Sequence, residues 1–205
     1  LPTVVVTATG RAQAPNMLGS ATSAITAAQL SELRVDTAAE ALRYVPGVNI
    51  VQQGGPGSLT NVFIRGHNSQ HTMILLDGVR LNNNNGGGFD LANIPVNNIA
   101  RIEVVRGAQS ALYGSDAVGG VVNIITKRGG EGIHGAAEGA LGTEGYMSGG
   151  LNLSGGNEIG DFSLGYKGVT FEGTTTASED FGNTEEDDWT NHALSGRFGL
   201  NILGD

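Results

Sequence analysis

Six of the ten residues from Glu179 to Asp188 carry carboxylates, the densest titratable run in the chain. Like charges this close repel unless a cation shares them. Calcium takes about six to eight oxygen ligands, of the kind that Asp180, Glu185, Asp187 and Asp188 supply. Their spacing is not that of an EF-hand, and a solvated acidic loop fits the same residues. His67 and His71 stand at i, i+4, a metal-binding spacing on a helix, but no Glu lies between them and Gly66 precedes them, which points to a turn. Asn82, Asn83, Asn84 and Asn85 lead into three glycines. Together they offer amide donors and acceptors with close backbone approach, which suits an amide-rich ligand or a flexible linker. The Gly-rich stretches 107–114 and 114–120 lack the Gly-Lys-Ser/Thr ending of a phosphate loop, and no serine sits in a nucleophile elbow. The chemistry on offer is recognition rather than catalysis, and no cofactor other than calcium is indicated.

The elements that must position these groups are short strands closed by glycine. Val62 to Gly66 and Ile102 to Gly107 each stop at an Arg-Gly, and Met73 to Leu76 stops at Asp77-Gly78. Apolar runs of four or five residues bounded by Gly suit buried strands in a small sheet. Arg65, Arg106 and Asp77 therefore sit at strand ends, where buried charge requires a partner. Two short helices precede these strands. Thr26 with Gln29 and Thr37 with Glu40 each fit a capping box, and Ala38, Ala41, Leu42 and Val45 share one helical face that Pro46-Gly47 should end. A strand over Asn49 to Gln52 should follow. The first residues, Leu1 to Thr9, are β-prone and cut off by a loose 10–20 stretch, so they could pair with another protein's sheet edge or form a tail.

Beyond Gly130 the pattern turns to period-two alternation. In Trp189 to Ile202 the even positions Leu194, Gly196, Phe198, Leu200 and Ile202 are apolar or small, and weaker copies run over 133–141, 146–154 and 161–172. About ten alternating residues per segment is the signature of a transmembrane β-strand. Short turns at 142–145 and 155–158 and a long acidic loop at 173–188 predict a hairpin meander with the long loop outside. Charge divides at the same place: residues 1–128 hold nine basic and seven acidic side chains, residues 129–205 two basic and thirteen acidic. An acidic C-terminal part argues against nucleic acid. There is no cysteine for a disulfide or a thiolate metal site. The chain begins at Leu1, as a processed or truncated product would.

Ile64-Arg65-Gly66, Leu76-Asp77-Gly78-Val79 and Val105-Arg106-Gly107 through Tyr113-Gly114-Ser115 are followed by GGVVNIIT at 119–126. This order resembles the plug domain of TonB-dependent outer-membrane receptors, those for cobalamin (vitamin B12) above all, over roughly residues 3–128. The resemblance implies an α+β plug domain, a small mixed sheet with short helices, followed by an incomplete antiparallel transmembrane β-barrel of about four strands. The segments would be 1–20, 21–130 and 131–205. It implies import of a large scarce nutrient, cobalamin ahead of a ferric siderophore or haem; a docking module without transport is the alternative.

By the same resemblance, Thr3, Val4, Val5, Val6, Thr7 and Ala8 form the TonB box that engages TonB on the periplasmic side, with Leu1-Pro2 where an acidic residue often stands. Arg65, Gly66, Asp77, Gly78, Arg106, Gly107, Tyr113 and Gly114 would lock the plug or bind it to the barrel. Gly57, Ser58, Leu59 and Asn82 to Asn85 would meet the ligand, and Asp180, Glu185, Asp187 and Asp188 would hold calcium. His67 and His71 would fall in a hairpin between two plug strands. Outer-membrane lipid would be a further partner. Plugged transporters close with about 22 strands, so four cannot surround a plug and the chain reads as the N-terminal part of a longer receptor.

Overall fold

The computed structural model describes residue 7 and residues 20–83, 88–173 and 188–201. Strand β1 (Ala21–Thr26) runs directly into helix α1 (Ala27–Leu33). The Gln29 amide donates to the Thr26 hydroxyl and the Thr26 amide to Gln29 Oε1, so the predicted capping box is complete. Helix α2 (Ala38–Leu42) departs from the prediction in two ways. The Glu40 amide donates to Thr37 Oγ1 at 3.3 Å, but the Glu40 carboxylate accepts from the Asp36 amide, one residue earlier than a capping box requires. The helix also ends before Pro46: the amides of Arg43, Tyr44 and Val45 close i→i−3 turns, which pull the chain out of α-helical register. Ala38, Ala41, Leu42 and Val45 do share one buried face.

Strands β2 (Val48–Gln52) and β3 (Thr60–Ile64) form a two-stranded antiparallel sheet of their own. A 3-10 turn at Ser69–His71 then leads into β4 (Thr72–Leu76). His67 and His71 therefore lie on a link between two sheets, not in a hairpin, because β3 and β4 do not pair. β4, β5 (Val79–Arg80), β6 (Ile99–Arg106) and β7 (Gly120–Thr126) join β1 in a five-stranded sheet of order β1-β6-β7-β4-β5, with helix α3 (Ser110–Tyr113) between β6 and β7. Only β4 and β7 pair in parallel, so the sheet is mixed.

The glycine punctuation has a specific cause. Arg65-Gly66 and Asp77-Gly78 both place two successive residues at positive φ, 51° and 77° in the first and 49° and 83° in the second. Positive φ at both central residues marks a type I′ turn, which favours Gly at its second position; Asp77-Gly78 joins the paired strands β4 and β5 in this way, whereas Arg65-Gly66 turns the chain without joining a strand pair. Glu144-Gly145 repeats it at 55° and 65°.

The five-stranded sheet is apolar on both faces. Ile102, Val104, Val122, Ile124 and Ile74 face the main core, with Leu30, Leu42, Ile64 and Leu91 packed there. Met73, Leu75 and Val121 face the other way and pack with Ala117 and Tyr113. Period-two alternation puts Glu103 and Asn123, paired across β6 and β7, on this second face.

The C-terminal strands β8 (Gly132–Leu141), β9 (Met147–Gly156), β10 (Gly160–Phe171) and β11 (Trp189–Leu200) form a four-stranded antiparallel meander. Gly155 and Gly156, expected in a turn, extend β9, and Asn157 makes the turn with its side chain accepting from the Ile159 and Gly160 amides. Leu151, Leu153, Leu164, Leu194, Phe198 and Leu200 line one exposed face; Ser148, Asn152, Ser154, Lys167, Ser195 and Arg197 line the other. Ile202 lies outside the described residues. By compactness the chain divides into one unit of Leu1–Gln52 with Leu59–Thr126 and a second of Gln53–Ser58 with Lys127–Asp205, so the 53–58 segment groups with the meander rather than with the strands it interrupts.

Candidate functional site

On the second face of the five-stranded sheet Glu103 is fully buried. Its Oε1 accepts from Arg101 Nε at 2.7 Å, two residues along the same strand and thus on the same face. Its Oε2 accepts both from the Thr7 amide at 2.8 Å and from the Thr7 hydroxyl at 2.5 Å. Asn123 Nδ2 donates to that hydroxyl at 3.1 Å, and the Tyr113 hydroxyl donates to the Thr7 carbonyl at 2.7 Å. Every polar group of Thr7 is thereby engaged, and the residue is 1% exposed. Hydrogen bonds to a charged acceptor contribute about 1.5–3 kcal/mol each, so this is a strong point of attachment. Burial, and secondarily the charge of Glu103, hold the Tyr113 phenol above its usual 10.0, which keeps it a donor.

Thr7 was expected to contact TonB; the structure places it in this socket. Thr3, Val4, Val5, Val6 and Ala8 lie outside the described residues. Glu103 and Asn123 were not among the expected site residues. Their signal was present in the sequence, because each is a single polar residue inside an apolar strand, in RIEVVRG and GGVVNIIT.

The Arg-Gly motifs meet in a second place. The Arg65 amide donates to the Gly47 carbonyl at 3.0 Å. Arg106 donates to the Pro46 and Ala21 carbonyls and to Ser23 Oγ at 2.9 Å, so it fastens edge strand β1 and the turn after α2 to the end of β6. A Cβ on Gly107 would lie 3.3 Å from the Arg65 guanidinium. Asp77 acts separately: its carboxylate accepts from the Thr126 amide at 2.9 Å and from the Thr126 hydroxyl, and Asn123 Oδ1 accepts from the Gly78 amide. It ties down the last residue of β7. Gly114, at φ 86°, closes α3 behind Tyr113. The Arg80–Asp116 ion pair braces the loop that follows.

The expected ligand and metal residues divide. Asn82 is buried, and its amide is engaged by β4: Oδ1 accepts from the Ile74 amide at 2.6 Å and Nδ2 donates to the Thr72 carbonyl at 2.9 Å. Asn82 is therefore a structural residue rather than a ligand group. Asn84 and Asn85 lie outside the described residues, whereas Asn83 is described. Gly57 and Ser58 are half-buried and Leu59 is exposed. A side chain at Gly57 would overlap the Trp189 indole. Asp180, Glu185 and Asp187 lie outside the described residues and Asp188 is exposed; among the described residues no group of three or more His, Cys, Asp or Glu could hold a metal.

A mixed sheet that receives an N-terminal residue, followed in the chain by an antiparallel meander with one apolar and one polar face, defines a plug joined to strands of a barrel wall. Residues 15–121 match the family model for the TonB-dependent Receptor Plug Domain, and the chain belongs to that family. It is 45% identical over 124 residues to the vitamin B12 transporter BtuB of Vibrio vulnificus (strain YJ016), a match that covers 60% of this chain and 20% of that protein. The chain thus spans about a fifth of the length of this curated relative. Among solved structures it resembles the siderophore receptor PirA of Acinetobacter baumannii, with TM-score 0.69 and 29% identity over 89% of this chain and 29% of that one. It shares the fold of the Pseudomonas aeruginosa ferripyoverdine receptor, with TM-score 0.79 and 17% identity over 99% of this chain and 26% of that one.

Proposed function

We propose that the chain is the plug and first wall strands of an outer-membrane transporter that imports cobalamin and draws its energy from TonB. The observation that carries this reading is the 45% identity to a vitamin B12 transporter across the plug region. In this reading the apolar face of β8–β11 meets lipid, residues 3–8 face the periplasm and engage TonB, and the 57–59 loop with Asn83, Asn84 and Asn85 meets the nutrient from outside. Asp180, Glu185, Asp187 and Asp188 would bind calcium and order the external loop; oxygen-only donors in an acidic run suit that hard cation. The plug's role is gating, so Arg65, Arg106 and Asp77 act by holding strand ends in place rather than by reacting.

A ferric siderophore is the second reading, favoured by the 29% identity to a siderophore receptor. Titration of cyanocobalamin and of a ferric siderophore into the full-length protein, each with and without calcium, separates the two. Saturable cobalamin binding that tightens with calcium is expected. No binding at micromolar cobalamin removes cobalamin from first place.

A further inference from the structure

Trp189, the single tryptophan of the chain, opens β11 opposite Phe171, the last residue of β10. Alternation places it with Ser195 and Arg197 on the polar face of the meander, away from Leu194, Phe198 and Leu200. Aromatic residues of barrel walls ordinarily gather in girdles on the lipid face. This one has another use. A Cβ at Gly57 would overlap Nε1, Cδ1 and Cε2 of its indole, so the pyrrole edge of the ring rests on the bare Cα of that glycine.

The segment it covers reads QGGPGS, which looks like slack chain, yet it is a defined turn. The Ser58 amide donates to the Gly55 carbonyl at 3.1 Å, Pro56 and Gly57 fill the two central positions, and Gly57 has φ +78°. Pro first and a left-handed Gly second is the type II pattern. Gly54, at φ +150°, lies close behind, where a Cβ would come within 2.7 Å of Ser58 Oγ. The turn therefore has a fixed shape. Its place is set by β11, because Gln53–Ser58 belong to the compact unit of the wall strands and not to that of β2 and β3.

We propose that Trp189 is a positioning residue for nutrient binding: its indole seats the Gly55–Ser58 turn against the start of β11 and so presents residues 57–59 to the ligand already ordered. The inference rests on the reading of residues 57–59 as a ligand contact. A ligand that meets a seated turn does not have to order it, and that ordering cost would otherwise come off the affinity. The pairing is exclusive. Any side chain at position 57 would meet both the ring and a backbone conformation that suits glycine.

Two measurements on the full-length receptor decide it. Hydrogen exchange of the Ser58 amide reads the turn with no ligand present, and cyanocobalamin titration reads its use. Trp189→Ala should speed exchange at Ser58 while the amides paired between β9 and β10 keep their protection, and should weaken cyanocobalamin binding about tenfold. Trp189→Phe, which keeps an aromatic plate, should recover most of both. Should Trp189→Ala fold poorly, Gly57→Ala disturbs the same contact from the other side and should give both effects with the wall sequence unaltered. Unchanged Ser58 exchange in these variants overturns the positioning. Faster exchange with unchanged affinity overturns the role in recognition. If the unaltered receptor binds no cyanocobalamin at micromolar concentration, the cobalamin reading fails instead. The same titration with a ferric siderophore then decides the role in recognition, which is lost if neither ligand binds, and Ser58 exchange decides the positioning as before.

Discussion

Glu138 Oε1 accepts a hydrogen bond from Lys167 Nζ at 3.0 Å although an entire strand lies between them. Both residues sit opposite Gly150 of β9, whose missing side chain lets Glu138 lie across the gap. A Cβ at position 150 would come within 2.7 Å of Glu138 Oε1. Gly150→Val should therefore cost about 1–3 kcal/mol through overpacking. Glu138→Ala should cost only about 0.5–1 kcal/mol, because its carboxylate is half exposed. Thermal unfolding in detergent ranks the two, and equal midpoints would refute the bridging role of Gly150.

Asp77 combines a left-handed backbone with two bonds to Thr126. Asn tolerates that backbone and retains one acceptor, so Asp77→Asn should lose about 0.5–1.5 kcal/mol. Asp77→Val adds a β-branched side chain at positive φ and loses both bonds, so about 3 kcal/mol or more is expected. Urea unfolding followed by circular dichroism gives the order, and a valine variant as stable as the asparagine variant would count against it.

The Tyr113 phenol titrates above 10.0 in the folded chain and near 10.0 once unfolded. Above pH 10 the unfolded chain has already lost this proton while the folded chain still binds it. Its contribution is thus complete below pH 10 and is lost as pH rises through the folded value. Tyr113→Phe should be the less stable protein at pH 8, yet lose less than the unaltered chain between pH 10 and 11. Parallel losses in paired urea titrations would show that Tyr113 is not the titrating group.

Gly57 adopts φ +78° against the indole of Trp189, the only tryptophan in the chain. Gly57→Ala should cost about 1–3 kcal/mol, both from the positive φ and because the indole must move. The emission of that single tryptophan should shift with it. An unchanged spectrum would mean that the two residues do not touch in solution.

The legible parts of the fold are those whose cause is local. Asp77-Gly78 specifies a hairpin turn in itself, Thr26 and Gln29 cap a helix within four residues, and the alternation around Leu194 to Leu200 follows from having two unlike solvents on the two faces of one sheet. What could not be read depends on distant chain. ATSAIT has no decisive pattern and becomes β1 because β6 pairs with it and Arg106 binds its carbonyls. Pro46 looked like a helix stop, but i→i−3 turns had already ended α2. Asn82 has the chemistry of a ligand residue, and only its place beside β4 reveals where its amide goes. Glu103 and Asn123 were visible as polar interruptions, but their purpose needed Thr7, about a hundred residues away in sequence.

The position of β1 at the rim of its sheet bears on the order in which the domain assembles. Ala21 meets Arg106 across 85 residues of chain, whereas β6 and β7 meet across a connection that joins Arg106 to Gly120. Closing the longer loop costs about 1.5 kcal/mol more in chain entropy. Folding kinetics should therefore add β1 after the β6–β7 nucleus has formed. A tug on the N-terminus would load the Thr7 attachment first and, once that gave way, reach β1, the last-formed strand, so the rim of the domain would come undone while the nucleus that must refold it stays standing.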